Sequence, residues 1–348
     1  MNEISTTMKK TQYVADLKIG VKINSIFMCD KIIFKESRTG DHFADVMLMD
    51  RTGTINMKIW NMTSNMTEWL QPGVVIKVKG LSVKEYAGNF QITLDSNMFS
   101  EHVNMCRNNE YNLSDFIQTT EQDIQKLEDE IKEAINNVNS LPIACLLRSY
   151  FDDEFFMNTF KVWPAAVKHH HAYRGGLIEH TVAVLRICLT LGETYNTVNN
   201  DMLIAGALLH DIGKVKSYNY DINQGGISVS DSGIMMGHLV IGSEDVGERI
   251  CRMQNSCPKR SKGCKCFSER EILEIKHMIL SHHGALEFGS PVEPVTIEAC
   301  ILHHADNMDA QINKFNKAIL DYSSSHEGKC KFIDIIGRSV FIPKRVKM

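Results

Sequence analysis

The chain has 348 residues, and at about 150 residues per domain this length predicts two domains and excludes a single small one. Hydrophobic residues make up 43% of the chain and charged residues 23%, which excludes wholesale disorder and a collagen-like architecture. The formal net charge of −4 lacks the strong positive sign of many nucleic-acid binders, so it permits polyanion binding without indicating it.

Signals for export or membrane insertion are not evident in the sequence. No stretch approaches 18 consecutive apolar residues, and the N-terminus lacks the basic-then-apolar order of a secretory signal. We therefore expect a cytoplasmic protein with no membrane association. Its ten cysteines are then expected to stay as thiols or to bind metal, without forming a disulfide framework.

The first hundred residues consist of short strand-like segments separated by turn residues, a pattern typical of a meander or small barrel. These segments are 18–28, 31–36, 42–50, 54–60, 74–80 and 90–94. A short helix is predicted from Thr63 to Leu70, before the Pro72-Gly73 turn. Strands with one inserted helix outline an OB-fold, although other small barrels share the pattern. Residues 1–100 are predicted to form an OB-type nucleic-acid-binding domain.

Aromatic and basic residues are interleaved on the predicted barrel strands. Phe43, Trp60 and Tyr86 are candidates for stacking on bases, and Lys58 is a candidate phosphate contact. Small barrels also bury aromatic rings by default, so each ring has an alternative place in the core. Only the combination with lysines on neighbouring strands favours single-strand binding.

The segment from 101 to 160 is the acidic part of the chain, with 4 basic and 12 acidic side chains. Apolar residues from Ile124 to Val138 recur at helical spacing. We interpret this segment as a helical linker between two domains, with its charges on a solvated face. The rest of the chain is mainly helical, and its helices are predicted over 141–168, 177–195, 201–209, 234–253, 268–282 and 296–320. Ser217 to Ser232 is predicted to be an exposed hairpin or loop.

Histidine placement is the most informative feature of the sequence. Eleven of the 14 histidines lie between residues 169 and 304, and several follow apolar helical segments. His210-Asp211, for example, ends the run Leu203 to Leu209. Imidazoles and carboxylates on converging helices form mixed nitrogen and oxygen sites that suit Mn, Fe, Zn, Co or Mg. Such sites commonly catalyse hydrolysis.

His180, the dyad His210-Asp211 and the distant Asp306 resemble the H…HD…D signature of HD-domain metal phosphohydrolases. Histidines at 238 and 282–283 are similar to the second-metal ligands of the dinuclear branch of that family. The segments 169–181, 281–284 and 303–309 resemble, more narrowly, the YhaM family of bacterial 3′→5′ exoribonucleases. That family pairs an N-terminal OB-fold with a C-terminal HD domain. The resemblance implies a multi-domain α+β protein, with a β-barrel followed by an all-α HD domain over 161–325 and a tail over 326–348.

The resemblance also implies site residues and cofactors. One metal ion would be held by His180, His210, Asp211 and Asp306, with Asp211 bridging to a second ion. The second ion would use His238 and His282, with His283 as a further ligand or a phosphate contact. Two divalent ions, Mn²⁺ first among them and Co²⁺, Fe²⁺, Zn²⁺ or Mg²⁺ as alternatives, would activate water and clamp the reacting oxygens. Lys214 and Asp211 are the catalytic candidates, with the Lys214 ammonium neutralising charge in the transition state.

Two further groups of residues carry weaker signals. His170 and Arg174 lie in a segment that we interpret as a loop lining a substrate groove. Four cysteines could hold a structural zinc, although their spacing departs from paired CxxC motifs and a solvated basic insertion is the alternative. They are Cys251, Cys257, Cys264 and Cys266.

We therefore predict an enzyme that hydrolyses the phosphodiester bonds of single-stranded RNA from the 3′ end to nucleoside monophosphates. Single-stranded DNA is a second substrate that the sequence leaves open, as is assembly into a homo-oligomer. One alternative is an HD phosphodiesterase of cyclic dinucleotides or nucleotides. Another is a non-catalytic nucleic-acid-binding factor with a vestigial HD site.

Overall fold

A computed structural model describes residues 10–37, 40, 42–62, 70–86, 89–107, 109–167, 171–221, 226–256, 267–322 and 326–344. The chain separates into two compact units, one holding most of the residues before position 120 and the other most of those after it. The predicted fold class is confirmed, since a β-barrel of OB type precedes a helical domain.

The first unit is a closed barrel. Its strands are β1 (Lys22–Glu36), β2 (His42–Asp50), β3 (Gly53–Trp60), β4 (Val75–Tyr86) and β5 (Asn89–Asp95), extended by α1 (Phe99–His102) and the short strand β6 (Val103–Met105). The sheet order is β1-β2-β3-β5-β4-β6, and a β1–β4 pairing closes the barrel. All of these pairings are antiparallel except β3 with β5. This order is that of a five-stranded Greek-key barrel.

The first predicted strand boundary is wrong in detail. Residues 22–28 and 31–36 of the two predicted segments form a single strand, β1, whose register with β2 shifts between Cys29 and Lys31, and residues 18–21 precede it. A β-bulge of this kind bends a strand without ending it, so one strand can pair with both β2 and β4. The predicted helix Thr63 to Leu70 lies outside the described residues, apart from Leu70 itself.

Strand alternation divides the barrel residues into inward and outward sets. On β3, Ile55, Met57 and Ile59 are buried, whereas Lys58 and Trp60 face outward and are partly exposed. The register pairs Phe43 on β2 with Trp60. The strand period of two therefore brings the predicted aromatic and basic residues together on one outer face.

The second unit is built from nine helices within its described residues. They are α2 (Ile124–Asn136), α3 (Leu141–Phe151), α4 (Glu154–Phe160), α5 (Gly176–Thr194), α6 (Asn200–Leu209), α7 (Lys214–Ser217), α8 (Asp231–Ser256), α9 (Glu269–Ser281) and α10 (Ile297–Tyr322). A single hydrophobic core runs through them and includes Leu146, Val182, Leu208, Ile279 and Leu302.

The segment predicted as a linker is divided differently in the structure. Residues 103–105 pair with β4 in the barrel, whereas α2, α3 and α4 belong to the helical unit. Leu127 and Ile131 of α2 are buried in the same core as the later helices. The acidic face of α2 is solvated as expected, but its apolar face packs instead of bridging domains. The predicted helix 141–168 is also two helices, because Asp153 caps the start of α4 with hydrogen bonds to the backbone of Phe155 and Phe156.

Two hairpins complete the unit. The strands β7 (Tyr218–Tyr220) and β8 (Ile227–Val229) pair as the hairpin predicted within 217–232. After α10, β9 (Lys329–Ile333) and β10 (Arg338–Ile342) form a second hairpin in the predicted tail, which buries Val340 and Ile342 beside Ala318 of α10. Within the described ranges, no helix is both long enough and apolar enough to span a membrane.

Candidate metal centre

Five helices of the second unit each bring one or two polar side chains to a common point. His180 comes from α5, and His210 with Asp211 directly follows the buried helix α6. His282 directly follows α9, and Asp306 lies within α10. His238 follows a break in α8 at Gly237, whose φ of +73° is non-helical. Because apolar residues fix each helix in the core, these polar side chains are carried inward with them.

The Asp211 carboxylate lies at the centre of the cluster. Its Oδ2 atom is 3.4 Å from His180 Nε2 and 3.3 Å from His210 Nε2. Asp306 Oδ1 is 3.1 Å from the same His180 nitrogen. The four residues that the resemblance assigns to one ion are therefore brought together. Among the described residues, His180, His210 and Asp211 form one of three groups with the spacing of metal ligands.

The other oxygen of Asp211 faces a second group of imidazoles. Its Oδ1 atom lies 3.4 Å from His238 Nε2 and 3.6 Å from His282 Nε2. His238, His282 and His283 form another group with the spacing of metal ligands. One carboxylate thus lies between two sets of nitrogen atoms, which is the arrangement of a bridging ligand.

Most of these rings are oriented by a hydrogen bond at the Nδ1 atom. His210 Nδ1 lies 2.9 Å from the carbonyl oxygen of Ala207, and His282 Nδ1 lies 2.8 Å from that of Ile279. His283 Nδ1 lies 2.9 Å from the carbonyl oxygen of Phe288. A carbonyl can only accept, so each Nδ1 atom carries the proton and each neutral ring has its lone pair on Nε2. That tautomer suits a metal ligand.

Burial and charge set the protonation of the cluster. Burial would raise the pKa of Asp211, but the Lys214 ammonium and the neighbouring imidazoles outweigh it and hold this pKa well below its usual range. Burial lowers the pKa of His210 and, aided by Lys214, that of His238. Burial, with the neighbouring His282, lowers the pKa of His283 to about 4. Burial would also lower the pKa of His180, but hydrogen bonds with the carboxylates of Asp211, Asp306 and Asp309 outweigh it and raise this pKa well above its ordinary value. At pH 7 the centre therefore offers carboxylate oxygens and, at His210, His238 and His283, neutral imidazoles, which are the forms that bind metal ions, whereas His180 would release a proton on binding an ion.

Two buried atoms indicate directly that a cation fits here. Asp211 Oδ1 and His238 Nε2 are buried and have no hydrogen-bond partner among the described residues, yet they lie 3.4 Å apart. Leaving a buried polar atom unsatisfied costs about 1–3 kcal/mol, and more for a charged group. The donor set, imidazole nitrogen with carboxylate oxygen, is one that divalent first-row metals accept.

Lys214 lies next to the centre on α7. Its buried ammonium group donates to Asp211 Oδ2. Burial would lower the pKa of Lys214, but the Asp211 carboxylate outweighs it and raises this pKa above its ordinary value. A permanent positive charge is therefore held beside the central carboxylate.

The structure says little about the role of the remaining predicted site residues, which are Arg174, His170 and the four cysteines. The carbonyl oxygen of Arg174 accepts a hydrogen bond from the backbone of Thr120, and its side chain is partly exposed. His170 lies outside the described residues, as do Cys257, Cys264 and Cys266. Cys251 is a free, exposed cysteine. The zinc prediction therefore stays a prediction.

The sequence analysis did not identify Asp309, a carboxylate that contacts the Nδ1 atom of His180 while Asp211 faces its Nε2 atom. Asp309 Oδ2 lies 2.7 Å from His180 Nδ1 and 2.9 Å from His171 Nε2. Asp309 is three residues after Asp306, so both carboxylates fall on one face of α10. That spacing was the available signal, because a helix that presents Asp306 inward must present Asp309 beside it.

The outer face of the barrel holds the predicted nucleic-acid residues. The rings of Phe43 and Trp60 lie 5.0 Å apart between centroids, and Lys58 Nζ lies 3.9 Å and 4.4 Å from the two ring centroids. Phe43 itself is buried, at 8% exposure, whereas Tyr86 is 72% exposed at the end of β4. Trp60 and Lys58 are therefore the solvent-accessible residues of this face, and the buried Phe43 ring packs against both.

Comparisons with known proteins agree with this geometry. The HD domain family matches residues 177–311. A 3′-5′ exoribonuclease YhaM from Oceanobacillus iheyensis is 29% identical over 88% of this chain and 89% of its own length. A protein of the same name from a Geobacillus species is 28% identical over 88% of this chain and 87% of its own.

Among solved structures, the solution structure of an OB domain from Thermoplasma acidophilum covers 26% of this chain and 80% of its own, at 14% identity. Its TM-score of 0.21 is too low to support an argument, so the barrel assignment rests on the strand order. The match to the HD domain family lies in the helical unit and includes all of the candidate metal ligands described above. The chain is thus similar to proteins named 3′-5′ exoribonuclease YhaM over 88% of its length, and its residues 177–311 match the HD domain family.

Proposed function

We propose that this protein is a metal-dependent 3′→5′ exoribonuclease that hydrolyses single-stranded RNA to nucleoside monophosphates. The observation that carries the proposal is the convergence of four imidazoles on the buried Asp211 carboxylate, with Asp306 beside His180. The names of the two relatives support the substrate and the direction of attack. Single-stranded DNA is a second substrate to be tested.

The residues present fit two divalent ions, with Mn²⁺ as the first choice. His180, His210, Asp211 and Asp306 would hold one ion. Asp211, His238 and His282 would hold the other, with His283 as a further ligand or phosphate contact. When bound, such ions supply Lewis acidity and a lowered pKa for a coordinated water.

The side chains of the centre have two roles, which are to orient the metal ligands and to neutralise negative charge. The Lys214 ammonium helps to keep Asp211 ionised. The two oxygens of the Asp211 carboxylate face the two groups of imidazoles, so Asp211 would contribute to both metal sites. The buried Lys214 ammonium would stabilise negative charge that develops on a phosphate placed beside Asp211. The Nδ1 hydrogen bonds of His210 and His282 keep their Nε2 lone pairs aimed inward.

The barrel would hold the RNA strand. Trp60 is a partly exposed ring with the Lys58 ammonium over its face. Aromatic rings stack on bases without sequence preference, and lysines contact the phosphate backbone. The β2–β3 face that carries both residues is the usual ligand face of an OB-fold.

Decay of a 5′-labelled single-stranded RNA in Mn²⁺ tests the proposal. Wild-type protein is expected to produce a ladder of labelled fragments shortened from the 3′ end, and Asp211→Asn is expected to abolish it. Asp334→Asn, an exposed carboxylate between β9 and β10, is the matched control and should ladder like wild type.

Three other outcomes would contradict the proposal. Equal laddering by Asp211→Asn would exclude this centre as the site of hydrolysis. Turnover of cyclic dinucleotides or nucleotides without RNA decay would select the phosphodiesterase alternative. RNA binding without any hydrolysis, in protein that binds no Mn²⁺, would select the non-catalytic alternative.

A further inference from the structure

A chain of partly buried hydrogen bonds leads away from the candidate metal centre at His180. Asp309 Oδ2 accepts from His180 Nδ1 at 2.7 Å and contacts His171 Nε2 at 2.9 Å. His171 Nδ1 lies 2.8 Å from the hydroxyl of Tyr173, which donates to Glu179 Oε2 at 3.0 Å. None of Asp309, His171, Tyr173 and Glu179 approaches the Asp211 carboxylate in any contact described above.

His171 has an unusual backbone conformation that places its imidazole ring beside Asp309. Its φ of +53° is left-handed, and among the described residues other than glycine only Asn61 shares a positive φ. The side chain is nevertheless buried, with 3% of the residue exposed. A strained, buried residue persists only where its surroundings hold it in place, and such residues cluster at functional sites.

The glycine pair at the start of α5 makes this placement possible. A Cβ atom at Gly176 would lie 2.0 Å from the carbonyl oxygen of His171. That oxygen accepts a hydrogen bond from the backbone of Ala165. Gly175, with a φ of +77°, occupies the N-cap position of α5. The sequence Gly175-Gly176 therefore lets the His171 loop lie directly against the helix that carries His180.

The same contacts set the hydrogen-bond roles of the atoms. Asp309 Oδ2 lies within hydrogen-bond distance of two ring nitrogens, His180 Nδ1 and His171 Nε2. A carboxylate oxygen between two imidazoles accepts from them, so His180 carries a ring proton on Nδ1. The His180 Nε2 atom is then left to face Asp211 and Asp306.

We propose that Asp309 and His171 are positioning residues that fix the tautomer and orientation of His180 as a metal ligand, with Tyr173 and Glu179 holding His171 in turn. The proposal deepens the proposed function, since it concerns the same centre, but it makes a claim about metal affinity that does not depend on RNA. Partners that orient a ligating histidine typically contribute about 10–100-fold to metal affinity.

Calorimetric titration of the metal-free full-length chain with Mn²⁺ tests the proposal. Asp309→Asn and His171→Asn are expected to weaken Mn²⁺ binding by about 10–100-fold relative to wild type. RNA decay should fall at low Mn²⁺ and recover when Mn²⁺ is raised, as expected when an ion is held less tightly. His304→Asn, an exposed histidine on α10 outside this chain of hydrogen bonds, is the matched control and should bind Mn²⁺ like wild type.

The readouts separate this inference from the proposed function. Unchanged Mn²⁺ affinity in a folded Asp309→Asn protein would overturn the positioning role and leave the nuclease proposal standing. A variant whose activity is lost and does not recover at high Mn²⁺ would also overturn it, since a positioning residue acts through metal occupancy. Absence of Mn²⁺ binding by wild type would contradict the metal-dependent function itself. Circular dichroism confirms folding, and Asp309→Glu gives a second variant that keeps the charge.

Discussion

At the scale of single residues, the Nε2 atoms of His180, His210 and His282 are made available by what their Nδ1 atoms contact. His210 and His282 contact backbone carbonyls three residues earlier in the chain. His180 instead uses Asp309, a carboxylate from α10. The first arrangement is local, whereas the second depends on two helices keeping their relative positions. Of these three candidate ligands, His180 is therefore the one whose orientation depends on packing elsewhere in the unit.

His303 supports the centre through the backbone. Its Nδ1 atom lies 2.8 Å from the carbonyl oxygen of His282, and Gly284 lies directly against its ring. A Cβ atom at Gly284 would be 2.1 Å from His303 Cε1. The φ of Gly284, +86°, is also unfavourable for any residue with a Cβ.

We predict that Gly284→Ala lowers the free energy of unfolding by about 1–3 kcal/mol, since it combines backbone strain with displacement of His303. Urea denaturation of the metal-free protein measures this change. Gly337→Ala is the matched control, because Gly337 has a φ of +69° and no atom within 4 Å of its Cβ position. Equal losses for the two variants would show that the His303 contact is unimportant.

The barrel contributes one residue whose replacement should affect RNA binding alone. We predict that Trp60→Ala weakens binding of single-stranded RNA by about 1–3 kcal/mol, the usual loss of one stacked base. Fluorescence anisotropy with a labelled oligonucleotide measures the loss. Phe155→Ala, an 85% exposed aromatic in the helical unit, is the control. Unchanged affinity in Trp60→Ala would place the RNA on another surface.

At the scale of elements, α2 is part of the helical unit and not a connection. Its apolar residues Leu127 and Ile131 lie in the core, and on its outer side Glu130 makes a two-pronged ion pair with Arg186 of α5, at 2.7 Å for each contact. α5 also carries His180. The acidic composition of the segment reflects its exposed face, and the helical period separates that face from the buried one.

The Glu130–Arg186 pair predicts a small pH dependence. Its hydrogen bond with Arg186 lowers the pKa of Glu130 below the ordinary 4.5. Because the carboxyl is more acidic when folded, its contribution is complete above pH 4.5 and is lost as the pH falls through the lowered value. The two side chains are 37% and 47% exposed, so solvent limits the contribution to about 0.5 kcal/mol.

Glu130→Gln should therefore lower the free energy of unfolding by about 0.5 kcal/mol at pH 7 and by less as the pH falls below 4.5. Urea denaturation at pH 7 and pH 3 makes the comparison. Glu133→Gln, on the exposed side of the same helix, controls for the loss of a negative charge. An effect of Glu130→Gln that is as large at pH 3 as at pH 7 would mean that the ion pair is not its cause.

At the scale of the whole molecule, the chain has two units with separate cores. All of the candidate metal ligands belong to the helical unit. A ligand that binds only the folded state stabilises the unit that holds it, by about 2.7 kcal/mol at a concentration 100 times its Kd.

Mn²⁺ is therefore expected to raise the Tm of the helical unit by about 5–10 °C at that concentration, given about 2–4 °C per kcal/mol for a unit of this size. Scanning calorimetry of the metal-free full chain, with and without Mn²⁺, measures the shift. Asp211→Asn should abolish it, and the Asp334→Asn control should keep it. A shift of equal size in Asp211→Asn would mean that Mn²⁺ binds elsewhere.

The sequence by itself determined the order of the parts. Alternating strand residues and turn residues indicated the barrel, since both signals are local to a few positions. Helical spacing, with His210-Asp211 directly after a wholly apolar segment, indicated that polar groups would be carried into a helical core. The resemblance to HD-domain phosphohydrolases implied that Asp211, next to His210, would be the central carboxylate.

Only the tertiary structure decided how the ligands are oriented and supported. His180 meets Asp309 across 129 positions, and His171 meets it across 138. No local pattern encodes such contacts, because they depend on how helices pack after each has formed. The same reason explains the misplaced linker and the single strand β1, since packing and a bulge determine both. Residue spacing selects the elements, and burial of their apolar faces decides which distant side chains meet.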